Sequence, residues 1–241
     1  MWAIFKKEVF GFFNSATGYL VILLFLLLNG LFLWVFKGGF NVFDYGFADL
    51  SHFFMLLPWV FLILIPAITM RSFSEERKSG TLELILIKPI SSIDLVLGKF
   101  FGTLMIGLMA MIPTLLYIWA IYDLGIVSGN FDLGVIIGSY MGGILLMAVY
   151  ASIGLFTSAL TENQVFAFIS ALGLCFVIFY GPNALATLYG SGTLQQTIQA
   201  WGGKYHLEGI SKGILASENV LYFLSVMAFF VFLTIKRLQR T

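Results

Sequence analysis

Residues 53–94 read FFMLLPWVFLILIPAITM, then RSFSEERKSGTLELILIKPISSID. The first half carries no Asp, Glu, Lys, Arg or His over 18 residues, and the second half is dense in charge. A bilayer core takes about 20 apolar residues at about 1.5 Å each, and a central charge there costs about 2.5–3.5 kcal/mol. This stretch is therefore one membrane span running into a solvated loop, and that reading decides the fold.

Working outward, the same texture repeats. Charge-free apolar blocks occur at about 18–36, 53–70, 100–122, 133–160, 164–188 and 219–235. The chain of 241 residues is 60% apolar and only 10% charged, with a mean hydropathy of +0.98. Soluble domains run near 45–50% apolar and about 25% charged. The expectation is an all-α integral membrane protein with six transmembrane helices, forming a single membrane domain over residues 1–241. The first apolar run is too long for a signal-peptide core and no small-residue cleavage site follows it, so it is expected to be retained. The lone Cys175 excludes a disulfide framework and a cysteine metal cluster.

Basic residues set the orientation. With both termini cytoplasmic, the inside carries Lys6, Lys7, Arg71, Arg77, Lys78, Lys88, Lys99, Lys236, Arg237 and Arg240, and the outside only Lys37, Lys204 and Lys212. That distribution follows the positive-inside rule and fits an even number of spans.

Before the first span, Trp2, Phe5, Val9 and Phe12 recur on one helical face, with Lys6, Lys7 and Glu8 largely elsewhere. The pattern suits an amphipathic interfacial helix, aromatics toward lipid and lysines toward anionic headgroups. A simple positively charged start that orients span one stays open beside it. Pro58, Pro66 and Pro113 interrupt spans two and three, either as packing kinks or as hinges. Gly134, Gly138 and Gly142 line one face of span four, for helix packing within the chain or between protomers. The outer connection from Tyr189 to Glu218 ends in HLEGISKGIL, with Leu207, Ile210 and Ile214 at helical spacing.

The loop itself divides at Ser79-Gly80. Ser72 and Glu75 have capping-box spacing, and Glu75 and Lys78 are placed to pair. A second short helix is expected from Thr81, with Glu83 in its first turn, Lys88 at its end and Pro89 stopping it. Leu82, Ile85 and Leu86 would make its apolar face; an alternating strand over Leu82, Leu84 and Leu86 is the competing pattern. Ser91 and Asp94 then open the helix that enters span three. A plain connector needs no apolar run from Leu82 to Ile87, so this half is expected to meet a partner.

These residues resemble a known family. Glu75-Glu76-Arg77-Lys78-Ser79-Gly80-Thr81-Leu82-Glu83-Leu84, followed by Pro89, Ser91 and Gly98-Lys99, looks like the signature loop of type-2 ABC transporter permeases. Phe5-Lys6-Lys7-Glu8 and the HLEGISKGI segment with Asn219 and Tyr222 are similar to that family's flanking patterns. Among its members the chain most resembles the gliding-motility permease subunits of Bacteroidota (GldF-like), with nitrous-oxide-reductase maturation permeases sharing the same loop. The resemblance implies that Glu75 to Glu83 and Leu86 form a coupling helix against a separate ABC ATPase subunit, which binds the ATP and Mg²⁺. It also implies a second permease half, identical or different, and possession by that half of a large periplasmic domain is one form of the pairing. This chain is expected to bind no cofactor, metal or nucleic acid and to be no enzyme.

Other classes fit less well. No G-x-x-x-x-G-K-[ST] occurs, since Gly98-Lys99 lacks the rest of the motif. An ion-coupled transporter usually carries mid-membrane ionisable groups, which the six blocks lack. A hydrolase would have to rest on Ser191 and His206 of the outer connection. A membrane scaffold that transports nothing is not separated from a permease by sequence, and the cargo is not legible.

Overall fold

The computed structural model describes residues 1–47, 49–87, 90–125, 131–189, 192–213 and 215–239. In chain order the helices are α1 (Trp2–Phe13), α2 (Ala16–Gly30), α3 (Val42–Tyr45), α4 (Ser51–Thr69), α5 (Ser74–Lys78), α6 (Thr81–Leu86) and α7 (Ser92–Met111). They continue as α8 (Leu116–Leu124), α9 (Leu133–Leu160), α10 (Gln164–Ala186), α11 (Thr193–Gln199), α12 (Gly203–Ser211) and α13 (Ser217–Leu238). No strand occurs among the described residues, and six helical runs are long and apolar enough to cross a membrane. The protein is an all-α, multi-pass membrane protein. The strand alternative over Leu82 to Leu86 is overturned: Thr81–Leu86 is helical.

Two span boundaries differ from the hydropathy reading. The charge-free block of span three begins near residue 100, but its helix begins at Ser92, as the Ser91 and Asp94 spacing predicts, so its first turns carry Asp94 and Lys99. Helix geometry continues past the hydropathy edge because Ser91 caps it, its hydroxyl accepting from Asp94 N at 3.0 Å. The last span is 22 residues long, Ser217–Leu238, and ends with Lys236 and Arg237 in its last turn, where cations suit the helix dipole.

The longest helix, α9, is the hub: α4, α7, α10, α12 and α13 all pack on it. Small residues make this possible. At Gly154 a side chain would collide with Thr69 of α4, whose own hydroxyl donates back to Ile65 O at 2.9 Å. Helices α2, α10 and α13 leave most of their surfaces outside the core, as lipid-facing helices do.

The proline-bearing regions bend differently. Pro58 and Pro66 stay within a continuous α4, whereas Pro113 sits in a 3₁₀ turn, Ile112–Leu115, that joins α7 to α8. In span one, α2 runs into a π-helical turn, Leu31–Val35, just after the fully buried Asn29, whose amide donates to Phe25 O at 2.7 Å.

Candidate functional site

The loop after α4 is capped from a distance. Ser158 of α9 accepts hydrogen bonds from the backbone N–H groups of Phe73 and Ser74, at 3.0 and 3.1 Å, and donates to Met70 O. Ser74 Oγ donates to the same carbonyl. The Ser72–Glu75 capping box does not form: Phe73 is the cap residue of α5, and the Ser72 hydroxyl has no hydrogen-bond partner. A buried serine in place before the helix starts outcompetes a local side chain that must find its own geometry.

Helix α5 ends at Ser79, and Gly80 takes the left-handed conformation at φ +68°. Glycine reaches that region without the steric cost other residues meet, so the elbow between α5 and α6 is sharp. Ser79 Oγ donates to Glu75 O at 2.9 Å and lies 2.8 Å from Thr81 Oγ1, tying the two sides of the elbow.

The apolar faces of α6 are divided otherwise than its pattern suggests. Leu82, expected to face a partner, is 1% exposed and lies in the protein's own core, and Ile85 packs partly against it. The exposed apolar residues are Leu84 and Ile87, at 62% and 81%. Glu83, Thr81, Gly80, Ser79, Lys78 and Glu75 are exposed around them. The Leu86 side chain, Lys88 and Pro89 lie outside what the structure describes.

Charge pairing also departs from the local reading. Glu76 pairs with two lysines from other helices: Lys7 Nζ lies 2.9 Å from its Oε1 and Lys99 Nζ 3.1 Å from its Oε2. Lys99 is 2% exposed, and its ammonium also donates to Glu8 Oε1 at 2.8 Å and Ser72 O at 2.7 Å. Three oxygens thus surround a group with three N–H donors, with the Phe73 ring 4.9 Å away on another side. Burying an ammonium costs several kcal/mol unless charges and hydrogen bonds compensate, and here both do. The four side chains Lys7, Glu76, Lys99 and Glu8 sum to zero charge and join α1, α5 and α7.

Helix α1 reaches this position through Gly98 and Gly102. A Cβ on Gly98 would lie 2.9 Å from Ile4 Cβ, and one on Gly102 2.8 Å from Glu8 Cβ. Two glycines four apart make a notch for a close helix, a signal present in the sequence but not read there. So Glu8 points into the protein, and Lys7, expected to point toward headgroups, keeps a side chain 64% exposed while its ammonium turns to Glu76. Val9 is buried, Trp2 is 64% exposed and stacks on Phe5, and Lys6 lies over the Trp2 ring. Partial burial opposes the charge on Lys7. Its hydrogen bond to Glu76, with the charges of Glu76 and Glu8, outweighs that and holds its pKa above the ordinary lysine range.

Opposite the charged end, Gly138 and Gly142 lie against α12 of the same chain. Cβ atoms there would come within 2.9 Å of Ile210 O and of Leu207 Cδ1. Gly134 meets only the Asp132 side chain that caps its helix. His206, expected on a surface connection, is buried at 9% exposure: its Nδ1 is 2.8 Å from Asn219 Oδ1 and its Nε2 2.8 Å from Ala200 O. With both ring nitrogens occupied and Tyr222 stacked at 4.2 Å, it pins α12 to α13 and is not presented as a base. Ser191 and Ile214 lie outside the described residues.

Residues 2–238 match the family model described as ABC-2 family transporter protein. No curated protein matches the chain.

Proposed function

As the chain belongs to the ABC-2 transporter family, we propose that it is the membrane half of an ABC complex and that the outward side of α6 is where the separate ATPase subunit docks. The observation that carries the reading is the split of α6: Leu84 and Ile87 stand out beside Glu83, while Leu82 of the same turns is anchored inside. An apolar patch rimmed by charge is the usual composition of a docking site, and its anchored back lets a push move more than the loop. Force on α6 passes over the Gly80 elbow to α5. From there it reaches α7 through Glu76 and Lys99, α1 through Glu8 and Lys7, and α9 through the Ser158 cap.

In this reading ATP and Mg²⁺ are bound by the partner, and residues 1–241 act as one permease domain beside a second permease half. The positive-inside bias supports a bacterial inner membrane with both termini and the Arg71 to Lys99 loop in the cytoplasm. We assign the complex to gliding motility or its associated secretion on the resemblance of the loop alone.

The double substitution Leu84→Asp with Ile87→Asp should lower co-purification of the ATPase subunit at least about tenfold, as loss of a docking anchor does. Undiminished association with normal ATPase activity would sink the docking assignment. Orientation has its own check: single cysteines in place of Lys204 and Lys78 should be labelled from outside and protected, respectively, and labelling at position 78 reverses the topology.

A further inference from the structure

A cavity of about 510 Å³ opens at the end of the bundle opposite the charged loop, between α4, α9, α10 and α12. That is within the range of small-molecule sites, about 300–1,000 Å³. Its walls are of two kinds. Phe54, Met55, Pro58, Trp59, Phe179 and Leu207 make an apolar slot, and Asp49, Asp132, Glu208 and Lys204 stand at the polar side.

Two features of the lining are unexplained by folding. Ser139 is 2% exposed and lines the cavity, yet its hydroxyl makes no hydrogen bond among the described residues. A helical serine normally donates to the carbonyl one turn back, as Thr69 does in α4. Pro58 has no N–H, so the carbonyl of Phe54, four residues earlier, loses its helical donor, and both residues line the cavity. Ser139 and a residue whose carbonyl lacks its helical donor therefore line the cavity beside its apolar slot.

The charges at the mouth are only partly spent. Asp49 Oδ1 accepts from Ser51 N at 2.9 Å and Asp132 Oδ1 from Gly134 N at 2.8 Å, leaving the second oxygen of each carboxylate. Lys204 and Glu208 form a 3.6 Å pair with side chains 34% and 62% exposed, a geometry that exchanges readily with a ligand. The mouth thus offers acceptors for an ammonium and one cation for a phosphate, above a slot for a hydrocarbon chain.

We propose that this cavity holds an aminophospholipid of the surrounding bilayer, one acyl chain in the Met55–Trp59 slot, the amine at Asp49 and Asp132 and the phosphate at Lys204. An anionic lipid without an amine meets three carboxylates and one lysine, so it is disfavoured. The site is independent of the ATPase docking surface and stands or falls without it.

Trp59 supplies the readout. In the full chain with Trp2, Trp34, Trp119 and Trp201 changed to Phe, its fluorescence in detergent is titrated with lipids brominated on the acyl chain. Brominated phosphatidylethanolamine should quench at about tenfold lower concentration than brominated phosphatidylglycerol, the worth of one charge-assisted hydrogen bond. Asp49→Asn with Asp132→Asn keeps both helix-start acceptors, because Asn caps as well as Asp, and should erase the preference. Ser139→Leu fills the slot and should raise the quenching concentration of both lipids to a common level. A brominated alkylammonium should bind more weakly than phosphatidylethanolamine, with Lys204→Gln removing the gap. Equal quenching by the two lipids, or quenching unchanged by Ser139→Leu, overturns the site. An alkylammonium that binds as well as the lipid and ignores Lys204→Gln overturns the phospholipid as occupant.

Discussion

The two ends of this bundle each hold a short amphipathic helix against the spans, by different physics. At the charged end, α1 is locked by Lys99, an ammonium 2% exposed and shared among Glu8, Glu76 and the Ser72 carbonyl. At the opposite end, α12 lies in a glycine groove of α9 and is pinned by the neutral pairing of His206 with Asn219. A buried charge lock is brittle, since removing one member strands the others. A packing lock gives way gradually, by the volume that intrudes. The proposed coupling to an ATPase would call for the brittle kind, because a rigid link passes displacement on, and the proposed lipid site for the other.

The largest effect expected follows from breaking the charge lock. Lys99→Met leaves Glu8 and Glu76 facing each other without a cation and should cost about 3–5 kcal/mol, seen as a lowered melting temperature in detergent. Adding Glu8→Gln and Glu76→Gln to Lys99→Met should recover part of the loss, since the stranded charges are gone. A Lys99→Met chain that melts with the wild type would remove the distinction between the two ends.

The packing lock should respond less. Gly138→Leu drives a side chain at the Ile210 carbonyl and should cost about 1–3 kcal/mol, with α12 becoming the first site of limited proteolysis. Faster cleavage near α1 instead would show that the ends are not separate units.

The smallest effect belongs to the partly exposed arm of the charge network. Lys7→Gln removes a pair whose lysine side chain is 64% exposed, so no more than about 1 kcal/mol is expected. Its pH dependence has a definite sign: a lysine whose folded pKa is raised stabilises at lower pH and loses that contribution only as pH climbs through the raised value. The stability difference between Lys7→Gln and wild type should therefore be flat near neutrality and shrink above about 10.4. A difference that changes around pH 7 would point to another group.

Much of this architecture was legible from sequence. Hydropathy is a property of about 18 consecutive residues, so six spans could be found without knowing what any of them touches. The break at Ser79-Gly80 was legible too, because a left-handed elbow favours glycine whatever surrounds it. The start of the helix that enters span three was legible as well, because the Ser91 and Asp94 spacing marks a cap; hydropathy alone begins eight residues later, since composition reports polarity while the cap sets where the helix begins.

What the tertiary structure alone decided is which side of each short helix faces inward. Leu82 and Leu84 are both leucines of α6, two residues apart, and no local rule says that the first is core and the second surface. Glu75 and Glu76 are adjacent glutamates, yet only Glu76 meets Lys7 and Lys99, partners 69 and 23 positions away. Ser158 caps a helix 84 residues earlier. Local sequence specifies periodicity and the cost of entering lipid; it does not specify the rotation of a short helix about its own axis. That rotation is chosen by whichever distant cation, glycine notch or hydroxyl compensates the buried groups best.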